Sequence, residues 1–339
     1  MKAVVWLGPR EMELRDLADP APAADEVLLR VGAVGICGSE LSGYLGQNSL
    51  RVPPLVMGHE FAGSVVARGA NVRGLAPGDQ VIVNPLISCG ECQLCRGGLE
   101  NLCPRRQIVG AHRPGAFAEL VAVPAAGCTR LPDSLAAVAG SLAEPLACGV
   151  RAARVGGVAS GTSVAIFGAG PIGLMCISAC RRAGGEVRLA VDTNDARLAT
   201  AASWGAMATC NPREDDPAAT ARRESGGLGV DVAIDAVGAS ATRRAAVEAV
   251  RPGGVVVFLG LHEAESAVQA NHVVRNEVRV AGSFAYTPVE FAEAVGMLTA
   301  GDVRASSDWI EERPLAACAD AFAQLIDAPP AAAKIVLRP

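Results

Sequence analysis

Four cysteines fall within sixteen residues, "SCGECQLCRGGLENLC", as Cys89, Cys92, Cys95 and Cys103. Thiols spaced C-x2-C-x2-C-x7-C can wrap a single ion, because tetrahedral zinc accepts four thiolates from short-spaced pairs. Gly90, Gly97 and Gly98 leave the loop free to turn around it. An iron–sulfur cluster uses the same ligands, but the long last gap is unlike a ferredoxin run. The chain has 11 cysteines, an odd number, and its opening "MKAVVWLGPREMEL" lacks a long apolar core. A secreted disulfide framework is therefore the poorer reading, and metal-holding thiols in a cytoplasmic protein the better one. Four thiolates leave no coordination position open for a substrate, so this group is expected to hold structural zinc.

A second set of metal-type residues is dispersed. "GICGSE" supplies Cys37 and Ser39, "MGHEFAG" supplies His59 and Glu60, and "SLAEPLACG" supplies Glu144. A catalytic zinc takes three protein ligands and keeps one position for water or substrate. One Cys, one His and one or two carboxylates would meet that need. Each residue alone is a weak signal, since a lone Cys in a strand is usually a small core residue. The chain has only 4 histidines, however, and His59 sits in a glycine-flanked turn beside a carboxylate.

A third pattern is "FGAGPIG", a G-x-G-x-x-G run at Gly168, Gly170 and Gly173. A strand-like "TSVAIF" precedes it, a helix-like "IGLMCISACRRAG" follows, and Asp192 closes the next apolar run. That is the setting a dinucleotide fingerprint requires. Gly168 permits the tight turn, Gly170 lets the backbone approach a pyrophosphate, and Gly173 lets helix and strand pack closely. The helix start, with Pro171 and Ile172, offers free N–H groups to the phosphates. The side chains of Ile172, Leu174 and Met175 read as helix packing. Asp192 would accept hydrogen bonds from ribose hydroxyls and repel a 2′-phosphate, so NAD is favoured over NADP; Arg197 could soften that preference.

The elements around these residues fall into two textures. "KAVVWL", "EVLLRVGAVGI", "FAGSVVARG", "DQVIVN" and "AFAELVAVP" are short strands of a β-rich domain. From about Ala153, near-continuous apolar runs such as "VDVAIDAVG" and "GGVVVFLG" alternate with Ala-rich helical segments. Strands buried on both faces and joined by helices make a parallel sheet. "TPVEFAEAVGMLTAG" reads as an amphipathic helix with Pro in its first turn and Gly after its end. "AKIVLRP" reads as a last strand returning to the first domain.

The expected division is residues 1–150 (with a metal lobe at about 86–106), 151–286 and 287–339. A chain of 339 residues suits two domains. The uncharged stretch Val155–Cys180 is broken by glycines and is read as strand–turn–helix, with no membrane span. The net charge of −5 without a basic cluster excludes a nucleic-acid partner. "PREDDP" is expected to be a solvated loop, and His112, Arg113 and His262 are weaker site candidates.

Taken together these motifs resemble the zinc-containing medium-chain dehydrogenase/reductase family. "GHEFAGSVVARGANV" is similar to its zinc-alcohol-dehydrogenase signature, with Gly58, His59, Glu60, Gly63 and Gly69 in register. The resemblance spans essentially the whole chain. It implies an α/β architecture: a GroES-like β-rich catalytic domain built from both chain ends, plus a Rossmann doubly wound parallel-sheet domain. "AEPLAC" and "CGSE…GHE" look like the polyol dehydrogenase branch, of sorbitol/L-iditol and galactitol-phosphate type. In that branch Cys37, His59 and Glu60 are expected to hold catalytic zinc, with Glu144 an exchangeable ligand or nearby base; Cys148 fits the third-ligand position less well. Two zinc ions per chain, NAD, a small-molecule alcohol substrate and a homotetramer or homodimer follow as expectations. So does the reaction: oxidation of a secondary alcohol of a polyol to a ketone, with hydride passed to NAD and Ser39 passing the proton. An amino-alcohol, threonine-like or cyclitol substrate is the alternative. Two departures stand out: Glu40 replaces the usual Asp of "CGSD", and Ser42 stands where many relatives carry a relay His.

Overall fold

The computed structural model describes residues 1–328, 330 and 332–339. Its contacts divide the chain into two units, Met1–Glu144 with Thr287–Pro339, and Pro145–Tyr286. The second unit begins six residues before the boundary expected from sequence. The helix Ala143–Gly156 runs unbroken across that point, and a Cβ on its Gly149 would come within 2.7 Å of the Met175 backbone. The close approach ties most of this helix to the second unit.

The first unit is built on a seven-stranded sheet. Its order is Cys128–Arg130, Gln80–Val83, Glu60–Arg68, Glu26–Gly35, Lys334–Arg338 and Ile310–Pro314, with Leu120–Pro124 also paired to Glu26–Gly35. The apolar run "AKIVLRP" thus pairs antiparallel with the strand Glu26–Gly35, placing Val336 opposite Gly35. A three-stranded sheet joins Glu11–Asp16, Lys2–Gly8 and Leu55–Val56. Edge-to-face packing of Tyr44 on Phe322 (5.3 Å) and Phe117 on Phe322 (5.8 Å) fixes the helices against this core. The short strands Leu86–Ile87 and Gln107–Ile108 pair at the base of the four-cysteine loop and close it.

The helix Pro288–Ala300 has the expected ends. Thr287 and Glu290 form a reciprocal cap, Pro288 sits in the first turn, and Gly301 takes the left-handed conformation. In the second unit, six parallel strands are ordered Thr209–Cys210, Glu186–Val191, Ser163–Phe167, Val230–Asp235, Val250–Phe258 and Arg279–Gly282. This is the doubly wound order in which the first strand lies beside both the second and the fourth. "PREDDP" is a largely exposed loop, and its Asp216 caps the helix Pro217–Glu224. No helix among the described residues is long and apolar enough to cross a membrane.

The glycine turn separates two uses of glycine. A Cβ on Gly173 would collide with the Gly168 carbonyl, whereas a Cβ on Gly170 would meet nothing within 4 Å. Gly173→Ala should therefore lower the melting temperature and solubility of the protein itself. Gly170→Ala should leave the melting curve unchanged and weaken nicotinamide-dinucleotide binding at least about tenfold, read by quenching of tryptophan fluorescence. Equal effects on folding would contradict the assignment.

Candidate metal and dinucleotide sites

The two metal-type groups both close up in space. The sulfurs of Cys89, Cys92, Cys95 and Cys103 all lie within 4.8 Å of one another. Four of the separations are 3.4, 3.5, 3.8 and 3.9 Å. A tetrahedron of zinc–sulfur bonds has edges of about 3.8 Å, so the thiols match that shape. Cys92 begins the short helix Gln93–Arg96, and its sulfur accepts from the Cys95 N–H at 3.5 Å. Backbone amides, that of Glu91 foremost, pull the Cys89 thiol down to about 6, while burial pushes Cys95 up to about 11. The set is all protein, with no place for a substrate.

The second cluster is Cys37, His59 and Glu60, whose ligand atoms also lie within 4.8 Å of one another. Cys37 follows the strand Glu26–Gly35, and Glu60 starts the strand Glu60–Arg68, with Gly35 directly opposite Glu60. Gly58 turns the chain just before His59, at φ +102°, where a side chain would strike the Phe117 backbone at 2.7 Å.

Glu40 joins the two segments. It is fully buried and its Oε1 accepts from the Gly58 N–H at 2.9 Å and faces His59 Nδ1 at 2.7 Å. Its Oε2 accepts from the Cys37 N–H at 3.0 Å. The longer side chain folds back across the helix start and reaches both ligand segments at once. With Nδ1 committed to this carboxylate, Nε2 is the nitrogen left for a metal. Burial alone would lower the His59 pKa, but Glu40 and Cys37 outweigh it and hold it well above its usual value. Burial likewise favours the neutral form of Glu40, and His59 outweighs it to keep the carboxylate charged.

Sequence reasoning missed Lys334. It is 2% exposed on the last strand, donates to the Ile36 carbonyl at 2.9 Å and pairs with the Glu60 carboxylate. Gly35 makes the room, since a Cβ there would press on Lys334 Cε at 2.8 Å. Burial alone would lower the Lys334 pKa; Glu60 outweighs it and holds it above the ordinary value. A composition signal did exist: Lys334 and Lys2 are the only lysines in the chain, and all other basic chain residues of the Lys+Arg set are arginine.

The other named residues sort out as follows. Ser39 is half-buried and donates to Cys37 Sγ at 3.4 Å. Ser42 turns its hydroxyl back to the Gly38 carbonyl at 3.4 Å. Glu144 is half-buried in the first turn of its helix and is not part of the Cys37–His59–Glu60 cluster. His112 is exposed and accepts from the Ile108 N–H at 3.1 Å, whereas Arg113 is bound to Glu26 and the Ala122 carbonyl. His262 lies exposed after the strand Val250–Phe258.

In the second unit, Gly168 takes φ +97° and Gly170 leads into the helix Pro171–Arg182. Asp192 follows the strand Glu186–Val191 and accepts from the Ala169 N–H at 2.8 Å and the Asn194 N–H at 2.9 Å. The carboxylate is thereby held against the turn with lone pairs to spare for ribose hydroxyls. Arg197 lies in the first turn of the helix Asp195–Ser203, its N–H donating to the Asn194 side chain.

Residues 23–133 match the alcohol dehydrogenase GroES-like domain, and residues 171–300 match the zinc-binding dehydrogenase domain. The chain is 32% identical over 323 residues to an L-galactonate-5-dehydrogenase of Escherichia coli, covering 95% of this chain and 94% of that one. It belongs to the zinc-containing medium-chain dehydrogenase/reductase family.

Its likeness to that family extends to the sorbitol dehydrogenase of Bacillus subtilis, 34% identical with 89% of this chain and 87% of the relative covered. Among solved structures, galactitol-1-phosphate dehydrogenase of E. coli superposes with a TM-score of 0.93 at 27% identity, over 100% of both chains. A zinc-binding dehydrogenase of Sinorhizobium meliloti bound to NADP gives 0.93 at 32% identity, over 100% of this chain and 99% of that one. The fold class expected from sequence is therefore correct, and the protein is a zinc- and NAD(P)-type oxidoreductase of the polyol dehydrogenase branch.

The Glu60–Lys334 pair in this dehydrogenase generates a test. Removing one partner of a buried ion pair strands the other charge, at about 3–5 kcal/mol. Lys334→Met should lower the unfolding free energy measured by denaturant titration by that amount. The double variant Lys334→Met with Glu60→Gln should recover much of it. Wild-type stability in the single variant would show the pair to be dispensable.

Proposed function

We propose that the chain oxidises a secondary hydroxyl of a sugar alcohol or related polyol to a ketone, passing hydride to NAD. The observation that carries this reading is the Cys37–His59–Glu60 cluster, half-buried at Cys37 and buried at His59 and Glu60, one soft and two harder ligands drawn together, where a tetrahedral zinc would keep a fourth position. The relatives that work on L-galactonate, sorbitol and galactitol-1-phosphate support the substrate class. Cys37, His59 and Glu60 would hold the catalytic zinc and Cys89, Cys92, Cys95 and Cys103 the structural one. When bound, zinc supplies a Lewis acid that lowers a hydroxyl pKa, and the nicotinamide supplies the hydride acceptor.

The chain's own residues supply the rest. Glu40 orients the His59 ring, and Ser39 stands beside Cys37, where it can pass the substrate's hydroxyl proton towards solvent or the cofactor ribose. Glu144 would serve as an exchangeable carboxylate of this site. Gly168, Gly170 and Gly173, with Pro171 and Ile172 at the helix start, would seat the pyrophosphate. Asp192 would take the ribose hydroxyls and disfavour a 2′-phosphate, with Arg197 alongside. For assembly, the outer strand Arg279–Gly282 supports a homodimer or homotetramer. Among the described residues no strand pairs with its outer edge, and its own Val280 is 44% exposed.

Cys37→Ala and His59→Ala should each lower turnover about a thousandfold or more while removing about one zinc per chain. A screen of polyols, polyol phosphates, sugar acids and amino-alcohols with NAD and NADP reads the rest. Turnover of a polyol class with NAD at least about tenfold ahead of NADP is expected. Full activity without Cys37 would sink the ligand assignment, and turnover confined to amino-alcohols would replace the substrate class.

A further inference from the structure

Arg51 is a buried charge, 6% exposed, whose field reaches the Glu40 carboxylate. Among the described residues no carboxylate is in direct contact with it, none lying within 4 Å of its guanidinium. Its Nη1 donates to the Ser39 carbonyl at 3.1 Å, where Asn48 Nδ2 also points at 3.4 Å. Its Nη2 donates to Ser39 Oγ at 3.3 Å, and its Nε is buried without a partner. Burying a guanidinium this way is costly, so a use for it is to be sought nearby. Gly43 makes the berth: a Cβ there would stand 2.7 Å from Arg51 Cδ.

We propose that Arg51 is a positioning residue that holds the Ser39 hydroxyl as a donor aimed at the Cys37 side of the metal site. This rests on the functional reading above and adds to it. A serine hydroxyl has one proton and two lone pairs, whereas a guanidinium only donates and is not deprotonated in proteins. With Arg51 occupying a lone pair, the Ser39 proton is directed away from residue 51. It goes to Cys37 Sγ, 3.4 Å away. The same geometry closes one exit: Arg51 cannot receive a proton, and Ser42 is turned back on Gly38. At rest the hydroxyl points its proton at Cys37 Sγ, and when Ser39 hands a proton on, solvent or a bound hydroxyl must take it. An arginine clamp thus stands where a titrating relay residue is absent.

The test is a double-mutant cycle on the zinc-loaded enzyme, using the best alcohol found for the wild type. Arg51→Met should lower kcat about 10–100-fold with KM changed less than about threefold and zinc content unchanged. In a Ser39→Ala background the same substitution should cause no further loss. Arg51→Lys should restore part of kcat, and Gly43→Ala, which only crowds the guanidinium, should mimic a mild form of Arg51→Met. Equal losses in both backgrounds overturn the proposal, as does a rise in KM confined to anionic polyols.

A second readout needs no substrate. In the cobalt-substituted protein, losing a hydrogen bond to the Cys37 thiolate shifts its charge-transfer band to longer wavelength. The four-cysteine site cancels in difference spectra. Ser39→Ala and Arg51→Met should shift the band alike, and the double variant should match Ser39→Ala. No shift in Ser39→Ala, or additive shifts, overturns the proposal. If no alcohol is oxidised, the functional reading fails while the cobalt spectra still decide the role of Arg51.

Discussion

Glu40 is the constraint on which the metal site depends. One buried carboxylate gathers the Cys37 N–H, the Gly58 N–H and the His59 ring nitrogen, all within 3.0 Å. The first belongs to a helix start and the other two to the turn at Gly58 and His59. Sheet register sets Gly35 opposite Glu60 and so brings the two segments near each other, and Glu40 ties their irregular ends. A carboxylate without water to solvate it must find donors, and these are the donors it finds. The charge that is costly to bury is what makes the geometry single-valued, because any other arrangement leaves Glu40 unsatisfied. The replacement of Asp by Glu lengthens the reach without losing the contacts.

The chain end enters the same site through a second buried charge. Lys334 reaches the Glu60 carboxylate only because the last strand pairs antiparallel with Glu26–Gly35, which pairs on its other edge with Glu60–Arg68. Gly35 lies between them, so the register of two strand pairs meets at a residue with no side chain. The metal cluster is in this sense a product of sheet register. One of its three residues, Glu60, is held by a lysine 274 positions further along the chain. The three donors then differ in kind. Cys37 and His59 are held by Glu40, whereas Glu60 is shared with a lysine and has an alternative partner whenever it is not on a metal. A carboxylate so placed can move between metal and ammonium at less cost than a thiolate whose nearby partner is a neutral hydroxyl.

Much of this was legible in the sequence. Apolar runs of the right length located the strands, and the interval between Gly173 and Asp192 identified the βαβ unit. The spacing of Cys89, Cys92, Cys95 and Cys103 announced a wrapped ion. Cys37 and His59 were readable only because their motifs resemble a known family; alone, each was a plausible core residue. Lys334 and Arg51 were not read at all. Periodicity places a residue on a face of its own element, but it does not say which distant strand that face meets. Nothing in "AKIVLRP" or "NSLRVPP" by itself marks Lys334 or Arg51 as turned inward. Only the sheet register and the gap at Gly43 turn them inward. The rarity of lysine in an arginine-rich chain was the one available hint.

The two metal groups make opposite use of the same element. Four thiolates around one ion would satisfy it completely, so all four coordination positions would serve rigidity and nothing would be left to react. Its thiols are near neighbours in sequence, and closing so short a loop costs little entropy. The Cys37–His59–Glu60 group draws on segments that only the finished sheet brings together, and it leaves a position over. An open site must be held from outside, because the ligands alone do not define it. That is why the buried charges crowd here: Glu40 behind His59, Lys334 behind Glu60, and Arg51 behind Ser39. The closed loop needs no such backing, and the charged residues near it, Arg105 and Glu91, pair with each other at the surface. Where the backing charges concentrate therefore separates the site built for chemistry from the site built for shape, even though the louder sequence signal belongs to the latter.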